Sequence, residues 1–312
     1  MEELSFYFSD VLVKNLDSAA KKITRLSEGR ICELSILAAL AVDFYAEMTA
    51  DGLAPYDILA LLSEELNRVF SKPEPHSDML TENRKRLLGR LNLLFGADKA
   101  VLCELIIEKA RERGIDLTLE GLLSDKVHGT DVIYVKNSLS DEAFDVFSQQ
   151  IPTLKIKYAK SLRDAAIAVA SGEVGYCLMP IEEAGNRLTA TSSLIIEYDL
   201  RINGVTSDFG LDGNSDMKYA ILSAKFTVPP IHKADDVYLE IRLEHSDVAL
   251  YELLSVASTY GYGVYSVNTA AYGTDYCSLV FKDSGEGFLP IILYLTLFTA
   301  GYTPVGIYKN LE

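Results

Sequence analysis

The sequence predicts a multidomain chain of mixed α+β and α/β class, with domains at residues 1–126, 127–230 and 231–312. Three observations predict it. Apolar residues follow a helical spacing through roughly the first 125 residues, a strand–helix–strand pattern begins at Asp131, and strands with alternating apolar residues begin near Asp235. We therefore expect an N-terminal helical bundle, a small three-layer α/β lobe and a C-terminal ferredoxin-like βαββαβ domain.

The composition is typical of packed, water-soluble domains. Hydrophobic residues make up 49% of the 312 residues, which is ample for more than one core. The longest apolar run, residues 288–300, contains Pro290 and Thr296 and is too short to span a bilayer. Because the N-terminus is acidic and lacks the basic flank of a signal peptide, we expect a cytoplasmic protein.

Charge and side-chain chemistry exclude several classes of partner. The net charge of −16 disfavours binding to nucleic acid, whose phosphates it would repel. The cysteines and histidines are widely scattered, at Cys32, Cys103, Cys177, Cys277, His76, His128, His232 and His245. With no C-x-x-C pair and no metal-ligand spacing, we expect buried thiols, no metal and no cofactor. The expected partners are small molecules or further copies of this chain.

The first 125 residues are predicted to be helical throughout. The predicted helices cover residues 4–20, 31–48, 55–70, a segment from Thr81, and 99–113. Pro55 suits the first turn of a helix, and Gly114 suits a helix C-cap. This region fits either an interaction or dimerisation bundle or a ligand-binding or enzymatic helical domain.

The predicted lobe begins with a strand over residues 132–135, a helix over 141–149 and a strand over 155–158. Ser138 and Ser140 stand at the start of this first helix. There, backbone N–H groups and the helix dipole favour a carboxylate ligand, so both serines are candidate ligand-binding residues. Alternatively, the two serines only cap the helix, because a serine hydroxyl can accept a hydrogen bond from a backbone N–H of the first turn.

Residues 161–183 predict an amphipathic helix that Gly172 ends, followed by a buried strand from Tyr176 to Ile181. This stretch resembles the prephenate dehydratase family, in which two glycines precede Pro-Ile-Glu-Asn-Ser in the first lobe of a two-lobed catalytic domain. The matching positions are Gly172, Gly175, Pro180, Ile181 and Glu182. Glu183 and Ala184 replace the family's Asn and Ser.

The resemblance also implies that the family's second lobe is missing. A polar loop stands where the chain would cross into that lobe, and Met217, Lys218 and Tyr219 then stand where the family has Thr, Arg and Phe. The thioether of Met217 cannot donate a proton as the family's threonine does. Lys218 keeps the positive charge of the family's arginine but lacks the two parallel N–H donors with which a guanidinium binds a carboxylate. These changes argue against the dehydratase reaction of the family.

The last predicted domain resembles an ACT domain, the amino-acid-sensing module of these enzymes. Its predicted elements cover residues 237–244, 247–260, 263–272, 276–282, 287–300 and 302–310. The family's Gly-Ala-Leu stands here as Val248, Ala249 and Leu250, and Asn268 lies on the second strand. The resemblance implies a homodimer through this domain, with these four residues near any amino acid ligand.

Three functions remain open from the sequence. The first is a catalytically degenerate dehydratase-like protein with a sensing or dimerisation domain, linked to aromatic amino acid metabolism. The second is a divergent prephenate dehydratase that forms phenylpyruvate, with the N-terminal helices completing the cleft. The residues that line the cleft would then be Glu182, Glu183, Lys218, Ser138 and Ser140, with one glutamate as the catalytic acid and Lys218 on a substrate carboxylate. The third is a structural oligomer.

Overall fold

The computed structural model describes residues 30–71, 96–123, 129–150, 153–206, 217–229, 236–244, 250–269, 276–283, 287–299 and 302–311. These residues divide between two compact units. The first is formed from Met1–Leu122, Ala249–Gly261 and Leu289–Ala300, and the second from Leu123–Val248, Tyr262–Phe288 and Gly301–Glu312. The predicted helices at 4–20 and from Thr81, and all four histidines, lie outside the described residues.

The described part of the first unit is helical. Its main helices are α1 (Arg30–Ala50), α2 (Pro55–Ser71), α3 (Gly96–Glu112), α8 (Leu250–Thr259) and α9 (Leu289–Phe298), with the short α4 (Leu119–Leu123) after α3. Helix α9 is apolar on every side and buried, as expected for a helix surrounded by others. It packs on α2 and α3, and α8 packs on α3. The N-terminal helices therefore share a unit with two helices from the C-terminal segment.

Polar contacts tie α8 and α9 to the N-terminal helices. Lys99 of α3 lies 3.0 Å from the Glu252 carboxylate of α8, which also accepts a hydrogen bond from Tyr294 of α9 at 3.1 Å.

Gly114, with φ of 71°, ends α3, and the following N–H of Ile115 donates back to the carbonyl oxygen of Ala110, as in a glycine C-cap. None of the helices in the described residues is both long and apolar enough to cross a membrane.

The described residues of the second unit form a ten-stranded sheet with three helices. Its strands are β1 (Asp131–Tyr134), β2 (Lys155–Tyr158), β3 (Tyr176–Glu183), β4 (Asn186–Arg187), β5 (Arg201–Thr206), β6 (Met217–Ser223), β7 (Val237–Glu244), β8 (Gly263–Thr269), β9 (Tyr276–Asp283) and β10 (Tyr302–Leu311). Its helices are α5 (Ser138–Gln150), α6 (Leu162–Ala170) and α7 (Thr189–Glu197). The strand order is β2-β1-β3-β6-β5-β10-β7-β9-β8, with β4 beside β3.

We call β2, β1, β3, β6 and β5 the lobe half of the sheet. Side chains of β3 and β6 alternate between its two faces. One face carries Cys177, Met179, Ala220 and Leu222 and packs on α6 and α7. The opposite face carries Leu178, Tyr219 and Ile221 and packs on α5. The lobe half therefore has helices on both faces, which agrees with the predicted three-layer α/β arrangement.

We call β10, β7, β9 and β8 the C-terminal half. Within it every pairing is antiparallel, and the order places the fourth strand beside the first, as in a ferredoxin-like βαββαβ unit. Strand β10 joins the two halves because it pairs antiparallel with β7 and parallel with β5. One sheet thus runs through residues on both sides of position 230. The bounds of the three predicted domains stay predictions.

The junction of the halves requires a glycine. At Gly306 the register of β10 shifts against both neighbouring strands, and the backbone of β5 approaches closely. A Cβ atom at this position would lie 2.3 Å from the carbonyl oxygen of Ile202. Only glycine therefore fits where β10 enters between β5 and β7.

Candidate functional site

A recess lies on the sheet where the two halves meet, and we call it the tyrosine recess. Its enclosed volume is about 20 Å³, room for about one water molecule, and the rest of the recess is open to solvent. The lobe half and β4 contribute Ile181, Glu182, Arg187, Val205 and Lys218, and the C-terminal half contributes Tyr238, Tyr265, Ser266, Val280, Tyr308 and Asn310. Charged or polar side chains therefore stand beside three tyrosine rings and three aliphatic side chains in this lining.

Glu182 and Lys218 form an ion pair in the recess. They are direct partners in the antiparallel pairing of β3 with β6, next to a β-bulge at Ile181. The Lys218 Nζ lies 2.6 Å from Glu182 Oε1, with side chains 22% and 16% exposed. Burial works to lower the pKa of Lys218, but the hydrogen bond and charge of Glu182 outweigh burial and raise it above its usual value. Lys218 therefore acts as a cation at neutral pH and not as a base.

A tight hairpin places Arg187 beside this pair. Ala184 and Gly185 both have positive φ, as the two central residues of a type I′ turn do. The turn returns the chain so that Arg187 of β4 lies opposite Glu182 of β3. Arg187 donates a hydrogen bond to the carboxylate of Glu240, and its side chain is only 14% exposed.

Glu240 is the buried acceptor on the C-terminal half. Its side chain lies on β7 and accepts hydrogen bonds from Arg187 and from Tyr308 Oη at one oxygen. Ser278 Oγ donates to the other oxygen at 3.1 Å. A carboxylate that is only 5% exposed needs such partners, because burying it unpaired would cost several kcal/mol.

Three tyrosines of the C-terminal half line the recess. The ring of Tyr238 lies edge-on to Tyr265 at 4.9 Å and stacks with Tyr308 at 5.9 Å. Tyr238 and Tyr308 are buried, and burial raises the pKa of both phenols. Tyr265 is 50% exposed at the opening, and Lys218 Nζ lies 5.9 Å from its ring centre. The recess therefore offers aromatic faces beside paired charges.

The structure does not bring the predicted serines to this recess. Residues 217–223 alternate in direction, so Lys218 shares the face of Ala220 and Leu222, whereas α5 packs on the opposite face. Ser140, at the start of α5, is 1% exposed. Its Oγ lies 2.9 Å from the carbonyl oxygens of Val135 and Asn137 and accepts from the Asn137 N–H. The Ser140 hydroxyl therefore stabilises the loop that precedes α5. Ser138, the first residue of α5, is exposed.

The other predicted site residues are dispersed. Glu183 is exposed at the end of β3, beside the turn. Asn268 lies on β8, where its amide donates to Ser266 at 3.3 Å. Leu250 is 38% exposed at the start of α8 in the first unit, and Val248 and Ala249 lie outside the described residues. Among the predicted site residues that the structure describes, only Glu182 and Lys218 therefore line the tyrosine recess.

Sequence reasoning missed Arg187, Glu240 and the three tyrosines. One signal was present in β7, where Tyr238 and Glu240 alternate with the apolar Val237, Leu239 and Ile241. This alternation indicates a second strand face that can carry polar groups. The 18 tyrosines beside no tryptophan pointed in the same direction but gave no positions.

The described residues form a mixed α/β protein in which two ion pairs and three tyrosines meet at a recess on the sheet. No family model and no curated protein matches the sequence. Among the described residues, no cluster of three or more histidine, cysteine or acidic side chains could hold a metal ion.

Solved structures with similar folds include two prephenate dehydratases. The Streptococcus mutans enzyme has 14% identity and a TM-score of 0.47, covering 59% of this chain and all of that one. The Arthrobacter aurescens enzyme, solved with L-Phe, has 10% identity and a TM-score of 0.43, covering 58% and 90%. GqqA, a quorum-quenching acylase, has 16% identity and a TM-score of 0.43, covering 58% and 95%. We therefore base the function on the residues of the recess.

Proposed function

We propose that this chain is a binding protein with a dehydratase-like fold and that its tyrosine recess binds a small carboxylate or amino acid. One observation carries the proposal: both cations of the recess are paired with carboxylates, Lys218 with Glu182 and Arg187 with Glu240. A paired, protonated lysine binds and orients charged groups but does not accept a proton. Two charge pairs beside tyrosine rings thus support recognition more than acid–base catalysis.

The proposal also assigns a role to each predicted domain. Residues 231–312 form an ACT-like sensing or dimerisation domain, residues 127–230 the degenerate lobe, and residues 1–126 a helical domain. The strand order β10-β7-β9-β8 supports the ACT-like assignment. We further propose a cytoplasmic homodimer that serves the metabolism of aromatic amino acids, with regulation as its role.

A divergent prephenate dehydratase is the second candidate. The observation that favours it is the position of Glu182, whose carboxyl group lies in the recess beside the Lys218 ammonium. A carboxylic acid could protonate a leaving hydroxyl while the ammonium holds a substrate carboxylate. In this version the C-terminal strands, which supply the opposite wall of the recess, complete the cleft.

Two measurements separate the candidates. Purified protein and Lys218→Ala are tested for conversion of prephenate to phenylpyruvate. Binding of prephenate, phenylpyruvate, L-phenylalanine and L-tyrosine is then measured by calorimetry. We expect no turnover, together with binding that Lys218→Ala weakens. Lys157→Ala is the matched control, because Lys157 also pairs with a carboxylate on a neighbouring strand, Asp131 at 2.9 Å, outside the recess lining.

The outcomes are distinct. Turnover that Lys218→Ala abolishes and Lys157→Ala preserves would establish the enzyme. Absence of both turnover and binding in a folded protein would contradict both candidates and leave a structural oligomer.

A further inference from the structure

We propose that the outer edge of β2 is a docking surface that binds an acidic, extended peptide segment of a partner protein as a further strand of the sheet. No residue of β2 lines the tyrosine recess, so this inference does not depend on the proposed function. It is carried by the open backbone edge of β2, by the exposure of its apolar side chains and by a concentration of positive charge in an acidic chain.

The backbone of β2 has a described strand on one side only. It is the outermost strand of the described sheet and pairs in parallel with β1. The Lys155 N–H donates to the carbonyl oxygen of Thr130, just before β1, at 2.9 Å. Because successive residues of a strand direct their backbone groups to opposite sides, the N–H and C=O groups of Ile156 and Tyr158 point away from β1. An extended peptide can bond to these groups as another strand does.

The apolar side chains of β2 are only half covered. Ile156 and Tyr158 are 42% and 53% exposed, whereas their register partners on β1, Val132 and Tyr134, are buried. The rings of Tyr134 and Tyr158 meet edge-on at 5.4 Å. Ile156 and Tyr158 therefore continue the apolar face that α5 covers on β1. An added strand with apolar residues at alternate positions would cover their exposed parts.

Positive charge collects at this edge although the whole chain carries a net charge of −16. Residues 131–136 and 155–160 comprise β1, β2 and the two residues after each strand, and they contain four lysines and one acidic residue. Lys155 and Lys157 alternate with the apolar residues of β2 and so share its other face. Lys136 Nζ lies 4.9 Å from the centre of the Tyr158 ring. The charged residues, of which all the lysines are exposed, are Asp131, Lys136, Lys155, Lys157 and Lys160.

This charge pattern selects the occupant of the edge. Two copies of β2 would place lysine near lysine, which disfavours their pairing. Acidic residues at alternate positions of an incoming strand would instead lie opposite Lys155 and Lys157. A nucleic acid has no row of peptide groups to match the backbone of β2, and the net charge of the chain would repel its phosphates. The other edge strand of the described sheet, β8, contains no charged residue and offers no such selection.

The first test measures binding of dye-labelled octapeptides to the full-length protein by fluorescence anisotropy. In these peptides glutamate or aspartate alternates with valine, isoleucine or tyrosine. We expect the acidic peptides to bind and to bind more weakly as salt is added. The same peptides with lysine at the acidic positions should bind at least about tenfold more weakly. An oligothymidylate serves as a polyanion without peptide groups.

The second test uses N-methylation to establish that the peptide binds as a strand. Methyl groups on one alternate set of peptide nitrogens should abolish binding, and methyl groups on the other set should leave it unchanged. The reason is that only one set of N–H groups faces β2. Attraction between charges alone would not distinguish the two sets.

Variants of the chain place the peptide at β2. Lys155→Ala and Lys157→Ala should each weaken binding about threefold. Lys282→Ala is the matched control and should leave binding unchanged. Lys282 also pairs with an aspartate, at 2.6 Å against 2.9 Å for Lys157, and the two lysine side chains are 40% and 43% exposed. Circular dichroism establishes that each variant is folded.

Four results would overturn the inference and leave the proposed function of the recess in place. They are absence of binding by every acidic octapeptide, equal effects of the two methylation patterns, binding of the oligothymidylate as tight as that of the peptides, and pairing of β2 with a second copy. Sedimentation detects the last of these if Ile156→Pro, which removes an outward N–H, splits a dimer that Ile156→Ala retains.

Discussion

The two halves of the sheet contribute different chemistry to the tyrosine recess. The lobe half and β4 supply most of its charges, through Glu182, Arg187 and Lys218, whereas the C-terminal half supplies the three tyrosine rings. Glu240 is the exception, since it lies on the C-terminal half and pairs with Arg187 across the junction. Neither half therefore forms the site by itself. Changes that separate the halves should therefore affect stability and binding together.

Replacing Gly306 should break the junction and have the largest effect. In Gly306→Ala the new Cβ would lie 2.3 Å from Ile202 O, so β10 has to move away from β5. We expect a loss of about 3 kcal/mol in the free energy of unfolding, measured in urea, because overpacking in a core costs about 1–3 kcal/mol and occasionally more.

The control for this substitution is another strand glycine. At Gly263 of β8 the nearest atom to a new Cβ would be Lys282 O at 3.9 Å, which is an ordinary contact. Gly263→Ala should change the stability by no more than about 0.5 kcal/mol. Equal losses in the two variants would show that close approach at the junction is not the cause.

Replacing Glu240 should break the polar link between the halves. Glu240→Gln keeps the shape of the side chain but removes the charge that pairs with Arg187, whose own charge is then poorly compensated. We expect a loss of about 2 kcal/mol, less than for a fully buried pair since Arg187 keeps some exposure. Calorimetric unfolding measures it. Glu197→Gln, at the exposed pair with Arg163, should give no measurable change.

Tyr308→Phe tests the contribution of the C-terminal half to this link, because it removes one hydroxyl and keeps the ring. The hydroxyl donates to Glu240 at 3.1 Å in a buried setting, so its loss should cost about 1 kcal/mol. Tyr158→Phe, with a side chain that is 53% exposed, is the control. If chemical denaturation gives the same midpoint for Tyr308→Phe as for the wild type, the hydroxyl does not contribute to the link.

The pair of Lys218 and Glu182 should have the smallest effect, and the effect should depend on pH. A double-mutant cycle with Lys218→Met and Glu182→Gln should give a coupling of about 0.5–1 kcal/mol. Because the pKa of Lys218 is raised in the folded protein, the coupling is fully present below the unfolded pKa of about 10.4 and is lost as the pH rises through the raised value. Cycles at neutral and strongly alkaline pH measure this, and a coupling that disappears near pH 7 would contradict it.

The local elements could be predicted well because their periodicity is strong. The alternation of apolar residues in 237–244 predicted β7 with the bounds that the structure shows, and Gly172 and Gly114 end helices as predicted. The insertion of β10 between β5 and β7 could not be predicted, since pairing between distant segments leaves no local pattern. For the same reason, the sequence did not reveal that α8 and α9 share a unit with the N-terminal helices.

The candidate site was predicted only in part. Glu182 and Lys218 were found through a motif, and the structure places them in direct register. Tyr238, Tyr265 and Tyr308 lie on three separate strands, so only the sheet order brings them together. Ser140 could not be assigned from its position at a helix start, because an N-cap and a ligand-binding serine have the same local sequence.

The central position of β10 has a consequence for the order of folding. Gly306 pairs with Ile202, and Pro304 pairs with Ile241. Until β10 is in place, β5 and β7 each lack a neighbour and present an open edge, which is a template for unwanted association. Pairing over such sequence distances forms slowly. Residues 302–311 therefore cover the open edges of β5 and β7 at once and complete the sheet.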